Sequence, residues 1–113
     1  MPDKVYRTAI YCRLSREDGD KVESNSIASQ RAICEDYIAR HDDLELVCEP
    51  FVDDGYSGVS FNRPQFKKLE EAIRKGALDC IVVKDLSRFS RNYIDGGRYI
   101  EKIFPQLGIR FIA

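Results

Sequence analysis

The chain lacks several features that mark common classes of protein. It has one histidine, His41, and a net charge of −1 over 113 residues. No apolar run approaches the length of a membrane-spanning helix. The near balance of charge argues against a domain that binds nucleic acid through bulk electrostatics, so any such contact is expected to be local or helped by another domain. A lone histidine, expected at a solvated helix end, argues against a triad of serine, histidine and acid.

The sequence also offers little for secretion, disulfides or metals. The N-terminus has no apolar core or cleavage site of a secretory signal, which predicts a cytoplasmic protein that does not bind a membrane. No pair of cysteines has metal-ligand spacing, and we expect buried, reduced thiols. Asp53 and Asp54 alone are too few ligands for a catalytic metal, so we expect no metal and no cofactor. The cysteines in question are Cys12, Cys34, Cys48 and Cys80.

Apolar strand patterns alternate with amphipathic helical patterns along one domain, residues 1–113. This alternation predicts an α/β fold: an open, mostly parallel sheet with helices on both faces. The expected strands are Tyr6 to Cys12, Leu44 to Val52, Cys80 to Val83 and Ile109 to Ile112. Helices are expected to begin at Ser26 and Pro64, and a last one carries Ile100 to Leu107. Residues 84–92 are predicted to form a polar, basic loop or a single helical turn.

Polar and reactive residues follow the predicted strands at the edge where ligands of such sheets bind. Arginine forks suit a phosphate, and alternation would send Tyr11, Arg13 and Ser15 to one side. Arg88 and Arg91 are three residues apart, so one helical turn would point both the same way. A solvated surface turn and a structural serine remain the alternatives. The residues at this edge are Arg13, Ser15, Asp53, Asp54, Ser57, Lys84, Arg88 and Arg91.

At these residues the chain resembles the catalytic domain of serine site-specific recombinases, the resolvase and invertase family. The resemblance covers essentially all of the chain and looks most like the large serine recombinases of integrative elements and phages. Its motifs are Tyr11-x-Arg13-x-Ser15, Ser26-x-x-x-Gln30, Asp54-x-x-Ser57-Gly58, Arg63-Pro64 with Phe66 and Leu69, and the run from Asp85 to Asn92.

The resemblance implies a reaction on double-stranded DNA. Ser15 would attack a phosphodiester, form a 5′-phosphoserine link and release a 3′ hydroxyl, followed by strand exchange and religation. Homodimers and tetramers of the full-length protein would act without nucleotide hydrolysis or an essential metal. By the same resemblance, the phosphate contacts are Arg13, Arg88 and Arg91, a further catalytic arginine is Arg63, and the supporting network is Tyr11, Gln30, Asp54 and Ser57.

Two departures from the family pattern qualify this interpretation. Ser87 stands before Arg88, where many small resolvases have an acidic residue. The chain stops at Ala113, where family members continue into a long helix, so we expect a catalytic core that is truncated at its C-terminal end and inactive alone. The alternatives are a receiver-like phosphoacceptor domain using Asp53, Asp54, Mg²⁺ and Lys84, and a catalytically idle assembly module.

Overall fold

Strands and helices alternate along the chain as the apolar patterns predict. The computed structural model describes residues 4–14, 26–56 and 60–113. Its elements are β1 (Tyr6–Leu14), α1 (Ile27–Ala39), β2 (Leu44–Leu46), β3 (Phe51–Asp54), α2 (Pro64–Arg74), β4 (Cys80–Val82), α3 (Leu86–Phe89), α4 (Tyr93–Arg98), a π-helical segment (Tyr99–Ile103), α5 (Phe104–Gln106) and β5 (Arg110–Ile112). The predicted single helical turn after the third strand is α3.

All described strand pairs are parallel, and β1 lies at the centre of the sheet. Its first residues pair with β2, its last residues pair with β3, and its other side pairs with β4, which in turn pairs with β5. The strand predicted from Leu44 to Val52 is therefore two strands. Pro50 lies in the break, and because proline has no N–H it cannot donate to the ladder.

Helices cover both faces of the sheet, which confirms the predicted fold class. Alternation along β1 divides its apolar residues between two cores. Ala9 and Tyr11 pack with Phe66 and Leu69 of α2. Ile10 and Cys12 pack on the opposite face, with α1. Since both faces of β1 are buried, its polar residues must find partners inside the protein.

Local signals in the sequence fix the helix ends. Ser26 caps α1 by accepting a hydrogen bond from the N–H of Ser29 at 3.1 Å. Pro64 occupies the first turn of α2, where its missing N–H costs nothing. Gly76 follows the end of α2 with a φ of +79°, a conformation that side chains disfavour. Pro105 lies in the last helical turn, as expected.

The cysteines fit the expected picture except at one position. All four are free thiols, and Cys12, Cys34 and Cys80 are buried. Burial raises the pKa of Cys12 to about 12, so this thiol stays protonated at neutral pH. The prediction of a buried thiol is wrong for Cys48, which is exposed because it lies in the irregular stretch between β2 and β3.

The helices in the described ranges are all too short or too polar to cross a lipid bilayer.

Candidate functional site

The carboxyl ends of three neighbouring strands bring the predicted site residues together. Arg13 lies on β1 beside Asp53 of β3, its register partner. Arg88 lies on α3, which follows β4. The strand β1 runs to Leu14, two residues beyond the predicted end, so Arg13 belongs to the sheet rather than to a loop. Ser15 and Ser57 lie outside the described residues.

Arg13 is fully buried and donates to main-chain carbonyl groups on two sides. Its Nε donates to the carbonyl of Arg88 at 3.2 Å and its Nη2 to that of Ser87 at 2.7 Å. Its Nη1 donates to the carbonyl of Tyr56 at 3.0 Å. The guanidinium therefore ties β1 to the segment that carries Arg88 and to the turn after β3.

Gln30 of α1 holds the main chain of Arg13 from the opposite face. The Arg13 N–H donates to the side-chain carbonyl of Gln30 at 3.1 Å, and the Gln30 amide donates back to the Arg13 carbonyl at 3.0 Å. This reciprocal pair satisfies both main-chain groups of Arg13 at the end of the sheet. Gln30 is itself fully buried. Its place in the expected network is thus to fix the backbone of Arg13.

The turn α3 is organised by Asp85, which caps it. The carboxylate accepts from the N–H of Ser87 at 3.0 Å and from the Ser87 hydroxyl at 2.5 Å. Burial disfavours its charged form, but the hydrogen bond from Ser87 and the charge of Arg88 together hold the pKa of Asp85 below its usual value. The capped turn presents Arg88, whose Nη1 donates to the Arg13 carbonyl at 3.3 Å.

A second buried arginine, Arg63, stands before α2 and points into the same region. Its Nε donates to the carbonyl of Ser60 at 2.7 Å, and its Nη1 donates to that of Phe89 at 2.5 Å. The same Nη1 lies 3.4 Å from the hydroxyl oxygen of Tyr11. Arg63 is thus joined both to α3 and to β1.

Tyr11 connects Arg63 to the buried carboxylate of Asp53, a residue of the predicted edge that the resemblance leaves outside the supporting network. Its hydroxyl donates to Asp53 Oδ2 at 2.8 Å. Burial strongly raises the pKa of Tyr11, so the hydroxyl keeps its proton at neutral pH. Asp53 also accepts from the N–H groups of Gln65 and Phe66, each at 2.9 Å. A side chain of β3 therefore caps the N-terminus of the helix α2.

Asp53 and its neighbour Asp54 differ in burial. Asp53 is 1% exposed, whereas Asp54 is exposed. Because β3 continues through Asp54, alternation turns Asp53 towards the core beside Phe51 and turns Asp54 away. That alternation is the signal that could have identified Asp53. The Asp53 carboxylate is buried and already accepts three hydrogen bonds, which does not favour the receiver-like alternative.

Arg88 and Arg91 do not share one helical turn, so that prediction is wrong. The turn α3 ends at Phe89, and Ser90 is extended, with φ −160° and ψ 142°. Arg88 is consequently buried, whereas Arg91 is exposed. Arg91 lines an open cleft of about 300 Å³ together with Leu86, Ser87 and Ser90.

The site carries an excess of buried positive charge. In the described part of the chain, the buried charged side chains are Arg13, Arg63, Arg88 and Asp53. Main-chain carbonyl groups accept from Arg13 and Arg63, and Arg88 Nε lies 3.9 Å from Asp85 Oδ1. Every buried side-chain nitrogen or oxygen atom of the described residues has a hydrogen-bond partner. These residues contain no cluster of three or more metal-ligating side chains. An anion is the ligand that this charge distribution attracts.

Comparison with known families gives a match over most of the chain. The model of the family described as "Resolvase, N terminal domain" matches residues 8–113. A Bacillus subtilis (strain 168) protein named "Putative DNA recombinase" is 31% identical over 87 residues, which are 77% of this chain and 16% of that protein. The match thus spans about a sixth of the length of this relative.

Solved structures have the same fold. The N-terminal catalytic domain of TP901-1 integrase is 28% identical, with a TM-score of 0.81 over 95% of this chain and 75% of that chain. The C-terminal catalytic domain of ISC1926 TnpA, an IS607-like serine recombinase, has a TM-score of 0.73 at 23% identity, over 93% of this chain and 65% of that chain. The second likeness concerns the fold alone.

Proposed function

The chain belongs to the family of resolvase N-terminal domains, and on that premise we propose that it is the catalytic domain of a serine recombinase that breaks and rejoins DNA. The observation that carries this proposal is the cluster of buried guanidinium groups at the end of β1, two residues before Ser15. These groups belong to Arg13, Arg63 and Arg88. A phosphodiester brought to this edge would meet three guanidinium groups, and Ser15 is the hydroxyl residue that follows Arg13 by two positions in the sequence.

In the proposed reaction, the Ser15 hydroxyl gives up its proton and its oxygen attacks the phosphorus of one DNA strand. A bond forms between the serine oxygen and phosphorus, and the bond from phosphorus to the 3′ oxygen breaks. That oxygen takes up a proton and leaves as a 3′ hydroxyl, so the step neither releases nor consumes a proton overall. The DNA then carries a 5′-phosphoserine link. Reversal of the same chemistry after strand exchange rejoins the DNA without nucleotide hydrolysis.

Arginine is well suited to this step because phosphoryl transfer depends mainly on positioning and on charge stabilisation. We assign the phosphate contacts to Arg13, Arg88 and Arg91. Arg13 and Arg88 are held on the protein side by carbonyl groups and Gln30, so their orientation is set before DNA arrives. Arg91 is exposed on the adjoining cleft, where DNA can approach. We assign Arg63 as a further catalytic arginine, and the supporting network is Tyr11, Gln30, Asp54 and Ser57.

The proposed partners are double-stranded DNA and further copies of the protein, as dimers and tetramers. The near-neutral charge of the chain leaves little for non-specific binding. We therefore assign tight, sequence-specific binding of DNA to other parts of a longer protein. The short share of the Bacillus subtilis relative that matches, 16%, is in keeping with such an arrangement.

The covalent link provides the direct test. The longer protein that contains this domain is incubated with duplex DNA from the flanks of its own gene, quenched during the reaction, digested and analysed by mass spectrometry. A nucleotide adduct is expected on the peptide that contains Ser15, and Ser15→Ala should abolish it.

Ser60→Ala is the matched control, because it removes only an exposed hydroxyl, which accepts from the N–H of Asn62 at 3.0 Å, and keeps the main-chain carbonyl that accepts from Arg63. This variant should retain the adduct. Cleaved DNA with no adduct on the Ser15 peptide would refute the covalent mechanism and indicate hydrolysis or another nucleophile.

A further inference from the structure

The buried carboxylate of Asp53 has a place in the site that the family motif does not assign. One of its oxygens, Oδ2, accepts from two donors, the hydroxyl of Tyr11 at 2.8 Å and the N–H of Phe66 at 2.9 Å. The other oxygen accepts from the N–H of Gln65 at 2.9 Å. A single side chain therefore joins β1, β3 and the first turn of α2.

Both connections lead to Arg63. The residue stands directly before Pro64, so a fixed first turn of α2 fixes the backbone from which its side chain leaves. The Tyr11 hydroxyl, oriented by Asp53, lies 3.4 Å from Arg63 Nη1. The ring of Phe61 supports the guanidinium from a further side, with Cζ 4.6 Å from the ring centroid.

From Arg63 the connection continues to the phosphate-binding arginines. Arg63 Nη1 donates to the carbonyl of Phe89, the last residue of α3. The same turn carries Arg88, and its carbonyl groups at Ser87 and Arg88 accept from Arg13. A displacement of Arg63 would therefore move α3 relative to β1.

We propose that Asp53 is a positioning residue of the recombinase site, which acts through Tyr11 and the first turn of α2 to hold Arg63 and, through Arg63, the turn α3. This inference rests on the proposed function for its effect on DNA cleavage. The positioning of Arg63 is a property of the chain itself and is measured separately.

Asp53→Asn is the informative variant because it keeps the size of the side chain. The amide oxygen replaces only one of the two carboxylate oxygens, so in either orientation the NH₂ group faces an N–H donor of the first turn of α2. The N–H of Gln65 or that of Phe66 loses its acceptor, and the Tyr11 hydroxyl loses a charged acceptor. The geometry of Arg63 is expected to loosen while the fold is retained.

The first measurement is hydrogen exchange of the arginine Nε–H groups by NMR in the 113-residue chain. In Asp53→Asn, exchange at Arg63 should become faster by about tenfold, because a loosened guanidinium opens the hydrogen bond from its Nε to the Ser60 carbonyl more often. Exchange at Arg110, which pairs with Asp43 at the other edge of the sheet, should not change. Unchanged exchange at Arg63 would overturn the inference.

The second measurement is the single-turnover rate of adduct formation at Ser15 in the longer protein, with saturating DNA. A small misplacement of the arginines should lower this rate by about 10²-fold and leave DNA affinity unchanged. Tyr11→Phe keeps the cap of α2 but removes the link to Arg63. Its effect and that of Asp53→Asn should be non-additive in the double variant.

Ile73→Val is the matched control for stability, because Ile73 is buried near the end of the same helix, whereas Asp53 caps its first turn. It should lower the thermal midpoint without a comparable loss of rate. An equal loss of rate in the two variants, at equal thermal midpoint, would reduce Asp53 to a structural residue and refute the inference. If the unsubstituted protein forms no adduct, the proposed function fails, and the exchange at Arg63 still decides the role of Asp53.

Discussion

The two edges of the sheet use arginine in opposite ways. At the edge formed by the starts of the strands, Arg7 pairs with Asp79 at 2.8 Å and Arg110 with Asp43 at 2.9 Å, both partly exposed. At the other edge, Arg13 and its buried neighbours donate to main-chain carbonyl groups. A carboxylate neutralises an arginine, whereas a carbonyl only satisfies its hydrogen bonds. Among the described residues, the second edge therefore buries three arginines and one aspartate, whereas Arg7 and Arg110 at the first edge each have their own carboxylate.

The largest expected effect follows from removing an arginine at each edge. Arg13→Ala leaves the carbonyl groups of Ser87, Arg88 and Tyr56 without this donor and opens a cavity, which should lower the free energy of unfolding by about 2–4 kcal/mol. Arg110→Ala should cost less than about 1 kcal/mol, because a partly exposed ion pair is screened by solvent. Urea unfolding followed by circular dichroism measures both.

In the longer protein, the same pair of variants should also differ in function. Arg13→Ala should abolish adduct formation at Ser15, and Arg110→Ala should retain it. Similar losses of stability for the two variants would mean that the carbonyl contacts of Arg13 contribute no more than a surface pair, and the contrast between the edges would then be incorrect.

The sequence predicts the fold well because the alternation of apolar patterns is strong. Each of the four predicted strands has a counterpart, and the position of Pro64 and Gly76 fixes both ends of α2. The break between β2 and β3 could not be read from hydrophobicity, because Cys48 looks apolar although it lies exposed in an irregular stretch. Only the lack of an N–H at Pro50 marked it.

The site was predictable in its residue types and less so in their geometry. The motif placed Arg13, Arg63 and Arg88 at one edge, and the structure brings them together. The motif could not show which of the adjacent aspartates is buried. A shift of one residue in the strand would turn Asp54 rather than Asp53 towards the core, because side chains alternate between the two faces. Nor could spacing reveal that Ser90 is extended, which separates Arg91 from the turn of Arg88.

A smaller effect is expected where α4 approaches the edge of the sheet that carries Arg13. A methyl group at Gly96 would lie 2.9 Å from Ser90 Cβ and 3.1 Å from its hydroxyl oxygen. Gly96→Ala should therefore lower the free energy of unfolding by about 1–2 kcal/mol, since overpacking outweighs the gain in helix propensity. The change would also press on the segment between Arg88 and Arg91.

Gly97→Ala provides the comparison within the same helix. A methyl group there would meet no atom within 4 Å, so the substitution should stabilise the chain by about 0.5–1 kcal/mol through helix propensity. Urea midpoints of the two variants give the test. If both substitutions raise the midpoint, the contact between α4 and Ser90 is not tight, and close packing does not fix this part of the edge that carries Arg13.

The smallest effect concerns the edge at which Arg7 pairs with Asp79, and it is a dependence of the unfolding free energy on pH. Hydrogen bonds from the Arg7 side chain and N–H lower the pKa of Asp79 to about 2. Since the unfolded value is about 3.9, the stabilisation from Asp79 is complete above that pH and is lost as the pH falls towards the folded value. Unfolding free energies at several pH values between these limits should therefore decline less in Asp79→Asn than in the unsubstituted chain. An identical decline would show that the ion pair between Arg7 and Asp79 does not stabilise the fold.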